Sequence, residues 1–142
     1  MNKVLIFVFT LVCITFGSFC LADDEYKMSV STSGRNYVGA DLEGHDFSGQ
    51  NLSGANFSGA DMDEVNFTNA NLTGANFEGA DIENANFLNA NLTNANFTNA
   101  DLEEANLKGA NIKGTVFKNT ELEYAVWTDG KTCGAGSVGS CW

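Results

Sequence analysis

The sequence contains few basic residues and almost no histidine. Lys and Arg number 7 among 142 residues, against 18 Asp and Glu, and the single His is His45. The formal net charge of −11 at pH 7 argues against nucleic acid as a partner, because binding to the phosphate backbone relies on Lys and Arg. The sequence shows neither a nucleophile paired with a general base nor a phosphate-binding loop. We therefore expect no enzyme activity, no catalytic residues and no cofactor.

A repeat of five residues takes up most of the chain. From Tyr37 to Trp127, every position whose number ends in 2 or 7 carries a large apolar residue, and the position two before it is mostly Ala. A period of five is neither the 3.6 residues per turn of a helix nor the alternation of a strand. It indicates a chain that turns a corner every five residues and stacks on itself as a solenoid. His45 occupies one of the Ala positions near an end of the array, which favours a polar residue of that end over a catalytic base or a metal ligand.

Runs such as Ala55-Asn56-Phe57-Ser58-Gly59 and Ala60-Asp61-Met62-Asp63-Glu64 resemble the pentapeptide-repeat family, whose pattern is A-[DN]-[LF]-x-x. The resemblance implies an all-β fold, a right-handed quadrilateral β-helix with four pentapeptides in each coil. The sequence supports a coil of 20 residues, because Asp recurs at that interval at positions 41, 61, 81 and 101. We predict about four to five coils between residues 37 and 127.

Each position of the repeat has a predicted role in such a coil. Large residues fill the interior in two aromatic ladders, Phe47, Phe67, Phe87 and Leu107 on one side and Phe57, Phe77, Phe97 and Phe117 on the other. From Gly44 to Asn119, the position two after each central residue is Gly, Asn or, at Glu64 and Glu104, Glu. Gly and Asn tolerate the positive φ of a tight turn. Stacked Asn residues, for example Asn51, Asn71, Asn91 and Asn111, are predicted to form hydrogen bonds from coil to coil.

Residues 1–22 have the features of a secretory signal peptide. Lys3 supplies a positive start, residues 4–16 are apolar, and Cys20-Leu21-Ala22 forms a cleavage site that ends in a small residue. We therefore predict a periplasmic or secreted protein with no stable membrane association after cleavage.

Two alternatives to a cleaved signal are less favoured. An uncleaved membrane anchor requires about 20 apolar residues, more than this run provides. A lipoprotein site at Cys20 is disfavoured by the bulky Phe19 before it. Residues 23–36 are polar and are predicted to form an N-terminal cap or a loose arm.

The sequence has 4 cysteines, and Cys13 and Cys20 lie in the predicted signal. A disulfide between Cys133 and Cys141 is the expected state in an oxidising compartment. No second Cys pair or His lies nearby in the sequence, so no metal site is expected there. Residues 128–142 lack the repeat, and we predict that they form a disulfide-closed cap over an otherwise open strand edge.

Most of the acidic residues fall in one part of the 20-residue register. They flank the inward Leu, Met or Ile and should point outward. We call this set the acidic face: the predicted binding residues Asp41, Glu43, Asp61, Asp63, Asp81, Glu83, Asp101, Glu103, Glu121 and Glu123, together with the turn residues Glu64 and Glu104. The bases Lys108, Lys113 and Lys118 lie on the other sides of the last full coil, where a balanced surface is the simpler interpretation.

Two interpretations of the acidic face remain open, a recognition surface and a charged surface that maintains solubility. The leading functional hypothesis is a monomeric, non-enzymatic binding or scaffold module that presents the face to a basic protein partner. One alternative is a divalent-cation-binding solenoid. A DNA-mimicking inhibitor of a nucleic-acid enzyme, as in family members that protect DNA gyrase from quinolones, is less favoured because secretion separates the chain from DNA.

Overall fold

The computed structural model describes residues 35–142. The predicted signal at residues 1–22 and most of the predicted arm at residues 23–36 lie outside the described residues. In the described part, tight turns alternate with single-residue β-bridges, with no helix and no continuous strand. Accordingly, these residues include no helix long and apolar enough to cross a membrane.

Parallel β-bridges pair residues that lie 20 apart. They run from Asn36↔Asn56 to Asn106↔Val126, one every five residues. We call each 20-residue segment a layer and each set of residues 20 apart a column. Backbone hydrogen bonds join successive layers in both directions, since the Leu72 N–H donates to the Asn91 carbonyl at 2.8 Å and the Asn91 N–H donates to the Ala70 carbonyl at 2.9 Å. This stacked path agrees with the predicted β-helix, whose right-handed sense and number of coils stay predictions.

Two columns of Phe fill the interior. Phe77 stacks on Phe57 and Phe97, with ring centroids 5.0 and 4.6 Å apart. Rings ten residues apart meet edge to face, as Phe77 and Phe87 do at 6.1 Å and 90°. All four of these rings are fully buried. The face-to-face distance matches the ~4.8 Å separation of neighbouring strands, so the backbone spacing itself holds the rings in stacking contact. The predicted aromatic ladders are confirmed.

A residue in the left-handed conformation makes each corner. All 16 turn positions between Gly44 and Asn119 have positive φ, as the sequence predicted. Glu64, Glu104 and Tyr124 share this conformation, with φ of 57°, 56° and 58°. The Cβ of a non-glycine residue is strained there by about 1–2 kcal/mol per residue, whereas Gly has no Cβ and Asn is strained less.

After Trp127 the chain reverses direction instead of adding a layer. The Trp127 N–H donates to the Lys131 carbonyl at 2.7 Å. Two antiparallel bridges then cover part of the last layer, Val126↔Thr132 and Glu121↔Val138. Leu122 and Ala125 beneath them are fully buried. The boundaries of the predicted cap stay a prediction, but this segment does cover part of the end of the solenoid.

The predicted disulfide is confirmed. Cys133 and Cys141 are bonded, with their Cα atoms 4.9 Å apart. The bond closes the loop that contains Ser137, whose carbonyl accepts a hydrogen bond from the Leu122 N–H at 2.9 Å. The disulfide therefore holds the covering segment in place on the last layer.

Polar residues at the Ala positions behave differently at the two ends. His45 is exposed on the first layer rather than directed inward, and its ring centroid lies 6.1 Å from that of Phe47. At the other end, Thr120 is fully buried and its hydroxyl donates to the Phe97 carbonyl at 2.6 Å. A buried hydroxyl is tolerated in this interior because the neighbouring layer offers it a carbonyl.

We predict that Glu64→Asn raises the free energy of unfolding by about 0.5–1 kcal/mol, because Asn adopts the left-handed conformation with less strain. Glu64→Gln is the matched control, since it removes the same charge but keeps the strained side chain. Chemical denaturation of both variants checks this. Equal stabilisation by Asn and Gln would assign the effect to charge and contradict the backbone explanation.

Candidate functional site: the acidic face

Between residues 51 and 111, asparagine occupies the bridge position on three sides of the solenoid and bonds there in two ways. The Asn71 Oδ1 accepts a hydrogen bond from the Thr73 N–H at 3.2 Å, which fixes the following turn. The Asn71 Nδ2 donates to Asn51 Oδ1, one layer earlier, at 3.1 Å. The same layer-to-layer amide contact joins Asn76 to Asn56, Asn96 to Asn76 and Asn106 to Asn86, at 3.0–3.2 Å. The predicted Asn ladders are confirmed.

Carboxylates occupy the same position on the fourth side. The bridges place them directly above one another in the order Asp41, Asp61, Asp81, Asp101, Glu121. A carboxylate can still perform the first of the two functions, since the Glu103 N–H donates to Asp101 Oδ1 at 2.9 Å. It cannot form the layer-to-layer hydrogen bond that the Asn Nδ2 donates, because an ionised carboxylate has no hydrogen to donate. This column therefore stacks like charges where the other three stack amides.

A second acidic column runs beside the first. Its members are the half-buried Asp63, Glu83, Glu103 and Glu123 and the exposed Glu43. Asn84 Nδ2 donates to Asp63 Oδ1 at 3.3 Å, and the Gly136 N–H donates to Glu123 Oε2 at 3.2 Å. Glu64 and Glu104 are exposed at the adjoining corner. The structure thus brings all the predicted binding residues together on one side.

Mutual repulsion and burial make these carboxylates less acidic. Burial is the main cause that raises the pKa of Asp81 above its ordinary 3.8; the Glu83 N–H opposes this, and the charges of Asp101 and Asp61 add to it. The charge of Asp101 is the main cause that raises the pKa of Glu83 above 4.5. Burial, followed by the charge of Asp101, raises the pKa of Glu103. The fold therefore disfavours the charged forms of these three carboxylates.

No basic side chain neutralises the acidic face within residues 35–142. The ion pair found in that range joins Lys131 Nζ to the Asp129 carboxylate at 3.0 Å, away from both acidic columns. Asp101, Glu103 and Glu121 each direct a carboxylate oxygen to one place, with the three oxygens within 4.8 Å of one another. Oxygen ligands in this arrangement suit a hard divalent cation better than a soft one.

Comparison with known proteins identifies the family. The model of pentapeptide repeats matches in 8 copies, within residues 38–69, 62–99, 70–109 and 100–126. The chain belongs to the pentapeptide repeat family. No curated protein sequence matches it. Pentapeptide repeat proteins are in general non-enzymatic structural or binding proteins, in agreement with the absence of a catalytic arrangement in the sequence.

Several solved pentapeptide repeat structures are similar to this chain. The protein Rfr23 from the cyanobacterium Cyanothece 51142 is 33% identical, with a TM-score of 0.63 over 65% of this chain and 63% of that one. A pentapeptide repeat protein from the Arabidopsis thaliana thylakoid lumen is 32% identical, with a TM-score of 0.46 over 74% of this chain and 86% of that one. HetL from Nostoc sp. strain PCC 7120, involved in heterocyst differentiation regulation, is 24% identical, with a TM-score of 0.38 over 68% of this chain and 61% of that one. Rfr23 superposes closely enough to support the fold, and this chain spans less than two thirds of its length.

We predict that Asp81→Asn stabilises this pentapeptide repeat protein by about 1 kcal/mol at pH 7, since the new amide can donate to Asp61. The same contact already exists between Asn66 Nδ2 and Asp46 Oδ1 at 3.0 Å. Glu78→Gln is the control, because Glu78 is exposed in a column that contains Ser58 and Thr98. Its effect should stay within about 0.5 kcal/mol. Thermal unfolding of both variants checks this, and equal gains would contradict the ladder explanation.

The pH dependence of the wild-type protein gives a second readout of the same prediction. A carboxyl whose pKa is raised in the folded state binds its proton more tightly there than in the unfolded chain. Stability from Asp81, Glu83 and Glu103 should therefore increase as the pH falls from neutrality toward the ordinary values of 3.8 and 4.5. The pKa of Asp129 is lowered mainly by the hydrogen bond from the Lys131 N–H, so the stability that Asp129 contributes is lost as the pH falls below its ordinary value of 3.8. The advantage of Asp81→Asn should shrink over the same fall in pH.

Proposed function

We propose that this protein is a non-enzymatic binding or scaffold module of the periplasm or extracellular space, which presents its acidic face to a basic protein partner. The observation that carries the proposal is the exchange of Asn for Asp in one column out of four. The other three columns demonstrate that Asn satisfies this position fully, with one hydrogen bond to the turn and one to the layer below. Stability alone would favour Asn on the fourth side as well.

The geometry of the face suits a partner with regularly spaced positive charges. The two acidic columns present carboxylates at the ~4.8 Å separation of successive layers. Within residues 35–142 they have no internal cation to displace on binding. Charges held rigidly by the backbone lose little conformational freedom when a partner binds, and this favours recognition through electrostatic complementarity.

The proposed location has separate support. A disulfide such as Cys133–Cys141 is typical of proteins that fold in an oxidising compartment. The signal-like residues 1–22 lie outside the described residues, so their sequence pattern is the other argument. We include in the proposal a right-handed quadrilateral solenoid of four to five coils that acts as a monomer.

Two triple variants that change the net charge equally test the partner proposal. Asp61, Asp81 and Asp101 changed together to Asn alter the acidic face, whereas Asp46→Asn, Glu78→Gln and Asp129→Asn remove three acids elsewhere. Each is used as bait beside the wild-type chain in envelope and extracellular extracts, with bound proteins identified by mass spectrometry. We expect a basic protein that binds the wild type and the second variant but not the first, with affinity that falls as salt is added.

Equal capture by both triple variants would contradict the proposal, as would a bound protein whose affinity does not depend on salt. A circular dichroism spectrum and a melting curve of each bait confirm that the columns remain stacked. Because the first variant should be more stable than the wild type, loss of capture could not be attributed to unfolding.

A second candidate function is binding of divalent cations, favoured by the cluster of Asp101, Glu103 and Glu121. We predict that calcium at about 1 mM, in the range bound by extracellular modules, raises the melting temperature of the wild type. Glu103→Gln should remove the effect, whereas Glu43→Gln, in the same column but outside the cluster, should leave it. Titration calorimetry with calcium provides the direct measurement, and absence of heat at millimolar calcium would exclude this function.

A further inference from the structure

The end of the solenoid is covered on two sides and open on the other two. In earlier layers, the N–H of the central apolar residue and that of the turn residue both donate to the next layer, as Leu92 and Asn94 do to Asn111 and Lys113. The N–H groups of Ile112, Gly114 and Phe117 have no such partner among residues 35–142, and neither do the carbonyls of Ala110 and Thr115. We call residues 110–117 the open edge. An edge with free donors and acceptors is a template for another strand.

The open edge is also apolar. Val116 is 46% exposed, and Ile112 and Phe117 are only partly buried. Leu92 and Phe97, which lie one layer earlier in the columns of Ile112 and Phe117, are fully buried. A further strand across the open edge would therefore remove apolar surface from water as well as pair backbone groups.

On the neighbouring side of the same layer, at Val126, an added antiparallel strand is already present. Val126 stands one layer above Asn106, as Val116 stands one layer above Asn96, so both columns change from Asn to a β-branched residue at this level. The chain's own Thr132 bridges Val126 in the antiparallel sense, but no described residue bridges Val116 from above. The end of this solenoid can therefore accept an antiparallel strand, and one such position is unfilled within residues 35–142.

Charge favours one kind of strand. Lys113 on the open edge and Lys118 directly after it are both exposed, in a chain with few bases and many acids. Pairing two copies of the edge would bring the lysines of both copies close together, and like charges brought together in this way are destabilising. A strand with acidic side chains would instead pair with both lysines.

We propose that the open edge binds an acidic segment of a partner protein, which pairs with Val116 in the antiparallel sense and bends at the Gly114 corner to reach Ile112. Backbone hydrogen bonds to Ile112, Gly114 and Phe117 supply affinity that does not depend on the partner's exact sequence, and Lys113 and Lys118 select for acidic side chains. This site takes a partner of opposite charge to the one proposed for the acidic face, and it does not depend on that proposal.

The test uses the whole protein and a capped synthetic peptide of about eight residues in which Glu alternates with Val. We expect binding that slows hydrogen exchange at the amides of Ile112, Gly114 and Phe117. Replacing Glu by Lys in the peptide should abolish binding, and N-methylation of its pairing residues should do the same. Lys113→Glu combined with Lys118→Glu should weaken binding by about tenfold. Arg35→Glu combined with Lys131→Glu, an equal change of charge away from the edge, should have little effect.

Several results would overturn the inference. They are similar affinity for the Glu and Lys peptides, protection of amides elsewhere on the chain, and no protection at any of the three amides. Dimers in analytical ultracentrifugation with these amides already protected would show that a second copy occupies the edge instead. The two peptides are compared on the wild-type chain, so the test does not depend on the folding of the lysine variants. The triple variant of Asp61, Asp81 and Asp101 should still bind the Glu peptide, which separates this site from the acidic face.

Discussion

A left-handed residue at every fifth position is the constraint on which the rest of the structure depends. It turns the chain through a corner, and its N–H then donates to the carbonyl of the next layer, as at Gly74 and Thr93. With corners at fixed intervals, the chain returns above its starting point after 20 residues, and every side chain lies above a residue of the same repeat position. The interior Phe columns and the surface Asn columns are both results of that return.

Stacking like upon like has opposite consequences for different side chains. An aromatic ring or an amide is complementary to a copy of itself at strand spacing, because rings stack and an amide both donates and accepts. A carboxylate is not complementary to a copy of itself, since it can only accept hydrogen bonds and both copies carry a negative charge. The acidic face is therefore the one side whose side chains work against the stacking of the layers. Neighbouring charges, together with burial, raise the pKa values of Asp81, Glu83 and Glu103.

Sequence reasoning recovers the repetitive part of this molecule well, because one local rule is repeated many times. The period of five predicted the buried residues, the Gly and Asn positions predicted the left-handed corners, and the 20-residue interval predicted which acids share a side. The role of Asn as acceptor for the N–H two residues later was not predicted. The Ser or Thr that stands two residues after many of these Asn residues was a visible signal of it. The open edge could not be predicted, because it depends on where residues 128–142 lie after the reversal, and that segment follows no repeat. His45 is exposed, as expected of a polar residue at that end, because the first layer has few neighbours to enclose it.

The return of the chain every 20 residues also restricts how such a gene can change in length. Insertion of a whole layer preserves all four columns and lengthens the acidic face by two carboxylates. Insertion of a single pentapeptide shifts everything that follows by one side, so that later Asp residues move above Asn residues and the face is split between two adjacent sides. Growth or loss in units of four repeats would keep the acidic columns from Asp41 to Glu121 straight, and each such unit would change the length of the face by one layer.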